Sequence, residues 1–288
     1  MATLDQFLDR AEALLGRLES FLPQQPGTFD VDTDAVAWRW RRKNGRGQLQ
    51  PVSQLSKISF ADLLFLERQK ELLEQNTRQF IESKPANNVL LTGARGTGKS
   101  SLIRACLNRF SEDGLRLIEV DRHDLVDLMD IGELIAPRPE RFILYCDDLS
   151  FDEGDGSYRT LKAALDGSVS AQPDNLLIYA TSNRRHLMPQ RMSENMSIVR
   201  AADGEIHPGE TTEEKISFSD RFGLWLSFYP FSQDEYLQIV AHWLHSFGLP
   251  GSRIESAHTP ALQWALHRGS RSGRVAWQFA CDFAGRHL

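Results

Sequence analysis

From about Ser59 to Phe231, the apolar positions of the chain follow two alternating patterns. Short uninterrupted apolar runs, such as NVLLTG, FILYCD and NLLIYATS, are separated by longer segments whose apolar residues recur at helical spacing. Apolar runs of this kind are typical of strands buried on both faces, and strands that alternate with helices favour a parallel sheet. The pattern therefore predicts an α/β domain whose parallel sheet is covered by helices on both faces.

The two flanking regions have different patterns. After residue 231 only helical periods remain, which predicts a small all-helical domain. The first 57 residues begin with an amphipathic helical pattern and continue with a stretch dominated by Pro, Gly and charge, which predicts little core of their own. We therefore expect an N-terminal helical and basic appendage at 1–57, an α/β core at 58–231 and a helical domain at 232–288.

The composition is that of an ordinary globular protein. Of 288 residues, 41% are hydrophobic and 25% are charged, and the formal net charge of −6 argues against a protein coated in nucleic acid. The N-terminus lacks the basic start and apolar block of a signal peptide, and no apolar run is long enough to span a bilayer. We expect a cytoplasmic protein without membrane contact, in which Cys106, Cys146 and Cys281 are reduced core residues.

The segment GARGTGKS (Gly93–Ser100) fits the P-loop pattern and stands between a predicted buried strand and a predicted helix. In this context, glycines let successive backbone N–H groups point at phosphate oxygens, and the helix N-terminus adds its positive dipole end. Lys99 is expected to reach the β- and γ-phosphates, and Ser100 to bind Mg²⁺. The sequence thus predicts ATP and Mg²⁺ as cofactors. The expected nucleotide contacts are Gly93, Ala94, Arg95, Gly96, Thr97, Gly98, Lys99, Ser100 and Ser101.

Five carboxylates crowd into the segment that follows the predicted strand FILYC. Since ligands of open parallel sheets bind outside the carboxyl ends of the strands, we expect Asp147, the first of the five, to hold Mg²⁺ together with Ser100. Asp148 is expected to orient or activate the water that attacks the γ-phosphate. The other three are expected to be solvated loop residues, with Glu153 as an alternative for the catalytic role. These three are Asp152, Glu153 and Asp155.

Further polar residues stand where they can reach a bound triphosphate. Asn183 follows the predicted strand LLIYATS and is expected to hold the attacking water, with a helix N-cap as the alternative. Arg221 precedes the last predicted strand and is expected to act as an arginine finger on a neighbouring subunit, unless it forms a packing salt bridge. Arg271 and Arg274 begin the last predicted helix, where cations oppose the dipole and an anion should compensate. We favour Arg274 as the phosphate sensor, with Arg271 second and a basic surface turn as the alternative.

In this order, the P-loop, the Asp pair, Asn183, Arg221 and Arg274 resemble the motifs of an AAA+ ATPase. More closely, five segments look like a bacterial family of predicted AAA+ ATPases whose biological role is unassigned: PANNVLLTGARGTGKSSLI, CDDLSF, TSNRRHL, EEKISFSDRFGLWL and RGSRSGRVAWQFA. The likeness runs from about Ser59 to the end of the sequence. It implies a P-loop NTPase fold with a five-stranded parallel sheet and a helical lid. It also implies nucleotide bound between the subunits of a homo-oligomeric ring or filament.

The resemblance also bears on the function. The segment FADLLFLERQKELL is similar to the AAA+ segment that helps to frame the adenine. Most AAA+ proteins have Asp-Glu where this chain has Asp147-Asp148, and Asp-Asp is similar to replication initiators of the superfamily, which use ATP largely as an assembly switch. We expect an ATPase that remodels or assembles a protein client. The alternative is a slow ATP-dependent switch or loader that acts on DNA.

A basic stretch near the N-terminus and three tryptophans of the helical domain need separate interpretation. The stretch Arg39–Arg46 holds five basic residues, with Trp38 before it and Trp40 within it, a combination that would suit single-stranded nucleic acid. We favour instead an exposed strand whose cations pair with the acidic first segment. His207, alone on a polar loop, is not expected to bind metal. The helical domain is expected to bury Trp243, Trp264 and Trp277 in its core.

Overall fold

A computed structural model describes residues 35–43, 46–151, 156–166, 173–183, 199–200, 206–207 and 220–287 of the chain. Within these residues, a mostly parallel sheet lies between two groups of helices, and a separate cluster of helices follows it. The predicted α/β class, with an all-helical domain after the sheet, is confirmed.

The elements are as follows. The strands are β1 (Ala37–Lys43), β2 (Arg46–Pro51), β3 (Val89–Gly93), β4 (Leu115–Glu119), β5 (Arg141–Cys146), β6 (Leu176–Ser182), β7 (Val199–Arg200), β8 (Ile206–His207) and β9 (Leu224–Phe228). The helices are α1 (Glu67–Ile81), α2 (Lys99–Phe110), α3 (Leu128–Ile135), α4 (Gly156–Leu165), α5 (Gln233–Ser246), α6 (Gly251–Ser256), α7 (His258–Arg268) and α8 (Gly273–His287). Two short 3-10 helices lie at Phe60–Asp62 and Arg122–Asp127.

Five parallel strands form the centre of the sheet, in the order β9-β3-β6-β5-β4. All seven residues of β6 are buried, because the strand is an uninterrupted run between two neighbours and two layers of helices. The carboxyl ends of parallel strands meet at one edge of a sheet. That edge carries the P-loop after β3, Asp147 after β5 and Asn183 after β6. The topology therefore brings the predicted site residues together.

Helices cover both faces of the sheet. On one face α1 and α2 bury Leu73 and Leu102 completely, and on the other α3 and α4 bury Ile131 and Leu161 completely. Each such burial contributes about 1.5–3 kcal/mol of stability. The sheet edge that carries the polar residues is thus held by a core on each side.

Two further strands enlarge the sheet beyond the five that the sequence predicts. β1 pairs in parallel with β4 and antiparallel with β2, so residues before 58 extend one edge of the sheet. Alternate residues of a strand share a face, and Trp38 and Trp40 of β1 are only 2% and 4% exposed in the core beneath α3 and α4. The sheet has seven strands rather than five. The domain boundary at residue 58 remains a prediction.

The basic residues of β1 pair within the chain. Arg39 donates two hydrogen bonds to the Glu119 carboxylate, at 2.8 and 3.1 Å. The buried Asp127 carboxylate accepts from the Trp40 indole N–H at 3.0 Å and pairs with Arg42 at 3.0 Å. The acidic segment that we expected as the partner lies outside the described residues, and the observed partners belong to the α/β core. Because both indoles are buried, base stacking by these tryptophans, part of the nucleic-acid alternative, is wrong.

The helical domain begins with a capping box at the start of α5. The Ser232 hydroxyl accepts from the Glu235 backbone N–H at 3.2 Å, and the Glu235 carboxylate accepts from the Ser232 N–H at 2.7 Å. Tyr236 is completely buried in the core of this domain, and its hydroxyl donates to the Ala261 carbonyl at 3.2 Å. In the described part of the chain, no helix combines the length and the apolar composition needed to cross a bilayer.

Candidate nucleotide-binding site

The P-loop connects β3 to α2. Gly96 and Gly98 have φ angles of +74° and +103°, a left-handed conformation that glycine adopts without a steric penalty. Both are also closely approached, since a Cβ at Gly96 would lie 2.8 Å from Ser272 Oγ and one at Gly98 would lie 2.9 Å from Leu66 Cδ1. Glycine is thus required by the backbone of the loop and by contacts with the helical domain and with the segment before α1.

Lys99 is the first residue of α2 and only 6% exposed. Its ammonium group donates to the carbonyl oxygens of Gly93 and Ala94, both at 2.8 Å, and to Asn183 Oδ1 at 3.0 Å. Burial lowers the pKa of Lys99 below its ordinary value, and the two nearby Asp carboxylates oppose that shift. The ammonium group is thus held between the P-loop and the end of β6, where it can meet a phosphate oxygen.

Asp147 directly follows β5 and faces the first turn of α2. Its Oδ1 atom accepts from Thr181 Oγ1 at 2.6 Å and from Ser100 Oγ at 2.8 Å. Burial alone would raise the pKa of Asp147, but the hydrogen bonds that it accepts outweigh burial and hold the pKa below its ordinary value. Carboxylate and hydroxyl oxygens are the hard ligands that Mg²⁺ prefers, so this pair fits the ion.

Asp148 occupies an unusual backbone conformation. Its φ angle is +53°, in the left-handed region, and its N–H donates to Thr181 Oγ1 at 3.0 Å. Its carboxylate accepts from Asn183 Nδ2 at 2.6 Å, lies 3.8 Å from the Arg95 guanidinium and is 54% exposed. The predicted acid and the predicted amide thus contact each other beside the P-loop. Residues 184–198, which would form the helix of the N-cap alternative, lie outside the described residues.

The helical domain delivers Arg274 to the P-loop. The Arg274 backbone N–H donates to the Gly96 carbonyl at 3.2 Å, and Arg274 lines the same cleft as Lys99. The Ser272 hydroxyl accepts from the Val275 N–H at 3.3 Å in the first turn of α8, so the predicted start of this helix is confirmed. Arg271 is exposed and lies outside the cleft lining. Of the two predicted sensors, the structure brings only Arg274 to the site.

Arg221 lies away from the cleft of its own chain. Its guanidinium pairs with the Asp166 carboxylate just after α4, and the side chain is 22% exposed. An ion pair within the chain is the alternative that the sequence allowed. Its role on a neighbouring subunit stays a prediction.

Other predicted residues have mixed outcomes. The loop acids Asp152, Glu153 and Asp155 lie outside the described residues, as does the side chain of His207. Cys106 and Cys146 are buried as predicted, and burial raises the pKa of the Cys106 thiol to about 12. Cys281 is exposed, so the prediction that it is a core residue is wrong.

The apolar end of the cleft begins beside Gly98 of the P-loop and is lined by side chains from both domains. The cleft has a volume of about 930 Å³. Its apolar lining residues are Ile58, Leu63, Leu64 and Leu66 before α1, Phe231 just before α5, and Ile239, Trp243 and Trp277 in the helical domain. Trp243 and Trp277 meet edge to face with ring centroids 4.6 Å apart. Trp277 is 41% exposed, so the prediction that it is a core residue is wrong.

Three contributors to the site do not follow from the sequence motifs. They are the Thr181 hydroxyl, the pair Trp243 and Trp277, and the contact between Asp62 Oδ1 and His242 Nε2, at 3.4 Å, which joins the segment before α1 to the helical domain. The sequence does contain one indication that Trp277 belongs to the site. Trp277 stands three residues after Arg274, a spacing that places both side chains on one face of a helix.

Comparisons with known proteins agree with this architecture. A family described as "Protein of unknown function (DUF815)" matches residues 33–287. The Orc1 protein of Aeropyrum pernix, solved in complex with DNA, has a TM-score of 0.53 and 13% identity over 78% of this chain and 61% of that one. A RuvB mutant from Thermotoga maritima has a TM-score of 0.50 and 13% identity over 77% of this chain and 63% of that one.

At these identities the similarity shows the fold alone, which is the AAA+ P-loop fold that the sequence predicts. The chain covers less than two thirds of the length of both solved proteins. A comparison with curated proteins gave no significant match.

Proposed function

The chain belongs to the family described as "Protein of unknown function (DUF815)", and we propose that it is an Mg²⁺-dependent ATPase that remodels or assembles a protein partner. One observation carries this proposal. At a single edge of the sheet, the Lys99 ammonium group, the oxygen pair of Ser100 and Asp147, and the contact between Asp148 and Asn183 lie side by side. The first of these groups is a cation that can bind phosphates, and the second is a pair of oxygen ligands that fits Mg²⁺. The third is an acid beside an amide, which together can position the attacking water.

Each group has a distinct chemical role. Backbone N–H groups of the P-loop and the Lys99 ammonium group bind phosphate oxygens. Ser100 and Asp147 hold Mg²⁺, which neutralises charge on the phosphates when it is bound. Asp148 orients the attacking water and accepts its proton, and Asn183, hydrogen-bonded to Asp148 at 2.6 Å, keeps that water in line.

The apolar end of the cleft is suited to the adenine. Leu63 and Leu66 contribute aliphatic surface from the segment before α1, and Trp277 contributes a partly exposed indole from α8. Aromatic side chains stack on bases with about 1–3 kcal/mol per base. The base therefore lies between the two domains, with the triphosphate on the P-loop.

We further propose a homo-oligomeric ring or filament in the cytoplasm. Arg221 lies outside the cleft lining of its own chain and pairs with Asp166. In the assembly it acts as an arginine finger: its guanidinium leaves Asp166 and binds the phosphates of the nucleotide on a neighbouring subunit. Arg274, beside Gly96, senses the phosphates within its own subunit.

A second candidate function is a slow ATP-dependent switch that acts on DNA. The observation that favours it is the second acid: Asp148 has one methylene fewer than glutamate, and its carboxylate is 54% exposed. Two observations argue against an action on DNA. Trp38 and Trp40 are buried, and Arg39 and Arg42 pair with carboxylates of the same chain.

The Asp148→Asn variant tests the proposal. Wild type should bind ATP in the presence of Mg²⁺ and release phosphate. Asp148→Asn should bind ATP within about threefold of wild type but turn it over at least about 100-fold more slowly, since a positioned general base contributes about 10²–10⁴-fold. Labelled ATP measures both binding and turnover.

The exposed Asp130 on α3 offers a matched control, because Asp130→Asn makes the same charge change outside the cleft. If Asp148→Asn hydrolyses ATP at the wild-type rate, Asp148 does not activate the attacking water. If Asp148→Asn, which should bind ATP without turning it over, supports the same ATP-dependent assembly as wild type, the switch is favoured over the remodelling ATPase.

A further inference from the structure

Thr181, near the end of β6, makes three contacts with the segment that carries the two acids. Its hydroxyl donates to Asp147 Oδ1 at 2.6 Å and accepts from the Asp148 N–H at 3.0 Å. Its backbone carbonyl accepts from the Leu149 N–H at 2.6 Å. A hydroxyl has one proton and two lone pairs, and the Asp148 N–H can only donate, so the direction of both side-chain hydrogen bonds is determined.

These contacts hold a strained turn. The φ angle of +53° at Asp148 lies in the left-handed region, which is unfavourable for a residue with a Cβ, although Asp tolerates it better than most. Such outliers persist where the surrounding structure over-determines them. Here the hydroxyl and the carbonyl of Thr181 bind consecutive residues of the turn, and Arg122 donates to the Ser150 carbonyl at 3.1 Å on its far side.

The turn decides where the second carboxylate lies. Directly after Asp147 the chain bends, and the short Asp148 side chain reaches Asn183 Nδ2 at 2.6 Å, on the same strand end as Thr181. The carboxylate is therefore brought to the site by the backbone rather than by a longer side chain. The same hydroxyl also holds the oxygen of Asp147 that accepts from Ser100.

We propose that the Thr181 hydroxyl is a positioning group that couples the magnesium-binding acid to the water-activating acid. The inference rests on the proposed function, because it takes the roles of Asp147 and Asp148 from there. Thr181 itself is 1% exposed, and its hydroxyl group is engaged by Asp147 and by the Asp148 N–H. It acts through the two carboxylates.

Two substitutions at Thr181 separate the hydroxyl from the shape of the side chain. Thr181→Val keeps the branched shape and removes the hydroxyl, whereas Thr181→Ser keeps the hydroxyl. We expect Thr181→Val to raise the Mg²⁺ concentration for half-maximal binding of a non-hydrolysable ATP analogue about fivefold or more, and to lower turnover at least about tenfold. Analogue binding without Mg²⁺ should stay within about twofold, and Thr181→Ser should restore both properties to within about threefold of wild type.

Thr77→Val is the control for a lost buried hydroxyl. Thr77 is completely buried, and its hydroxyl donates to the Leu73 carbonyl at 2.8 Å, outside the cleft. This variant should lower the thermal unfolding temperature without changing the Mg²⁺ dependence. If Thr181→Val does not fold, the pair Thr181→Ala and Thr181→Ser makes the same comparison with smaller side chains.

The outcomes distinguish the two proposals. A wild-type-like Mg²⁺ dependence and turnover in Thr181→Val overturn the positioning role, and so does a Thr181→Ser variant as impaired as Thr181→Val. In both cases the proposed function stands if wild type binds and hydrolyses ATP. If wild type does neither, the proposed function fails, and the positioning role fails with it.

Discussion

The two ends of the cleft are built in opposite ways. At the phosphate end, the groups come from one loop and from the ends of adjacent parallel strands, and hydrogen bonds of 2.6–3.0 Å join Lys99, Ser100, Asp147, Asp148, Thr181 and Asn183. At the apolar end, side chains come from the segment before α1 and from α5 and α8, which are far apart in the sequence. Directional contacts define the first end, and packing between two domains defines the second.

Under the proposed function, the two ends are expected to recognise different parts of ATP. The hydrogen-bonded set around the buried Lys99 ammonium group should bind the phosphate chain, whatever base is attached to it. The apolar wall with its partly exposed indole should bind a planar ring and contribute nothing to the binding of a bare polyphosphate. The two ends are therefore separable by experiment, with ATP and inorganic triphosphate as the two probes.

The largest effect is expected at the phosphate end. Lys99→Ala should weaken binding of both ATP and inorganic triphosphate at least about 100-fold. The Lys99 ammonium group can exchange carbonyl partners such as Gly93 and Ala94 for phosphate oxygens, and each charge-assisted hydrogen bond contributes about 1.5–3 kcal/mol. Isothermal titration with each probe measures the loss. Lys84→Ala, an exposed lysine paired with Glu82 outside the cleft, is the control. Retained binding of either probe by Lys99→Ala contradicts the assignment of the phosphate end.

A smaller and more selective effect is expected at the apolar end. Trp277→Ala should weaken ATP binding about tenfold, since stacking on a base contributes about 1–3 kcal/mol, and leave inorganic triphosphate binding within about twofold. Trp277→Phe keeps an aromatic ring and should recover most of the affinity. If Trp277→Ala weakens the binding of ATP and of inorganic triphosphate equally, the two ends of the cleft do not have separate roles, because the tryptophan then affects the whole cleft.

The smallest effect is expected at Arg274, which belongs to the helical domain but reaches the phosphate end. Arg274→Ala should weaken ATP binding about fivefold, in line with one partly exposed charged hydrogen bond of about 1 kcal/mol, and weaken inorganic triphosphate to the same extent. Arg271→Ala, three residues earlier and outside the cleft lining, serves as the matched control. If Arg271→Ala has the larger effect, the other arginine is the sensor.

The five central strands and the P-loop could be predicted from the sequence, whereas β1 and β2 could not be placed. The alternation of Trp and Arg in β1 is a strand pattern, but nothing local shows that its tryptophans are buried against α3 and α4. The same holds for Arg221, whose partner Asp166 lies on a different element. Pairing partners that are distant in the sequence follow from topology, which local periodicity does not contain.

The phosphate end could be predicted from sequence patterns alone. Glycine spacing, the first residue of a helix and the first polar residues after buried strands place Lys99, Ser100, Asp147 and Asn183, because these positions depend on local backbone geometry and on parallel strand order. Long-range packing is needed to show which indole faces the cleft, which of Arg271 and Arg274 meets Gly96, and that Thr181 joins the two acids. Those contacts depend on how the helical domain packs on the sheet and on the register between β5 and β6. The two sets of residues differ in sequence separation. Side chains far apart in the chain meet only when whole helices and strands have packed together.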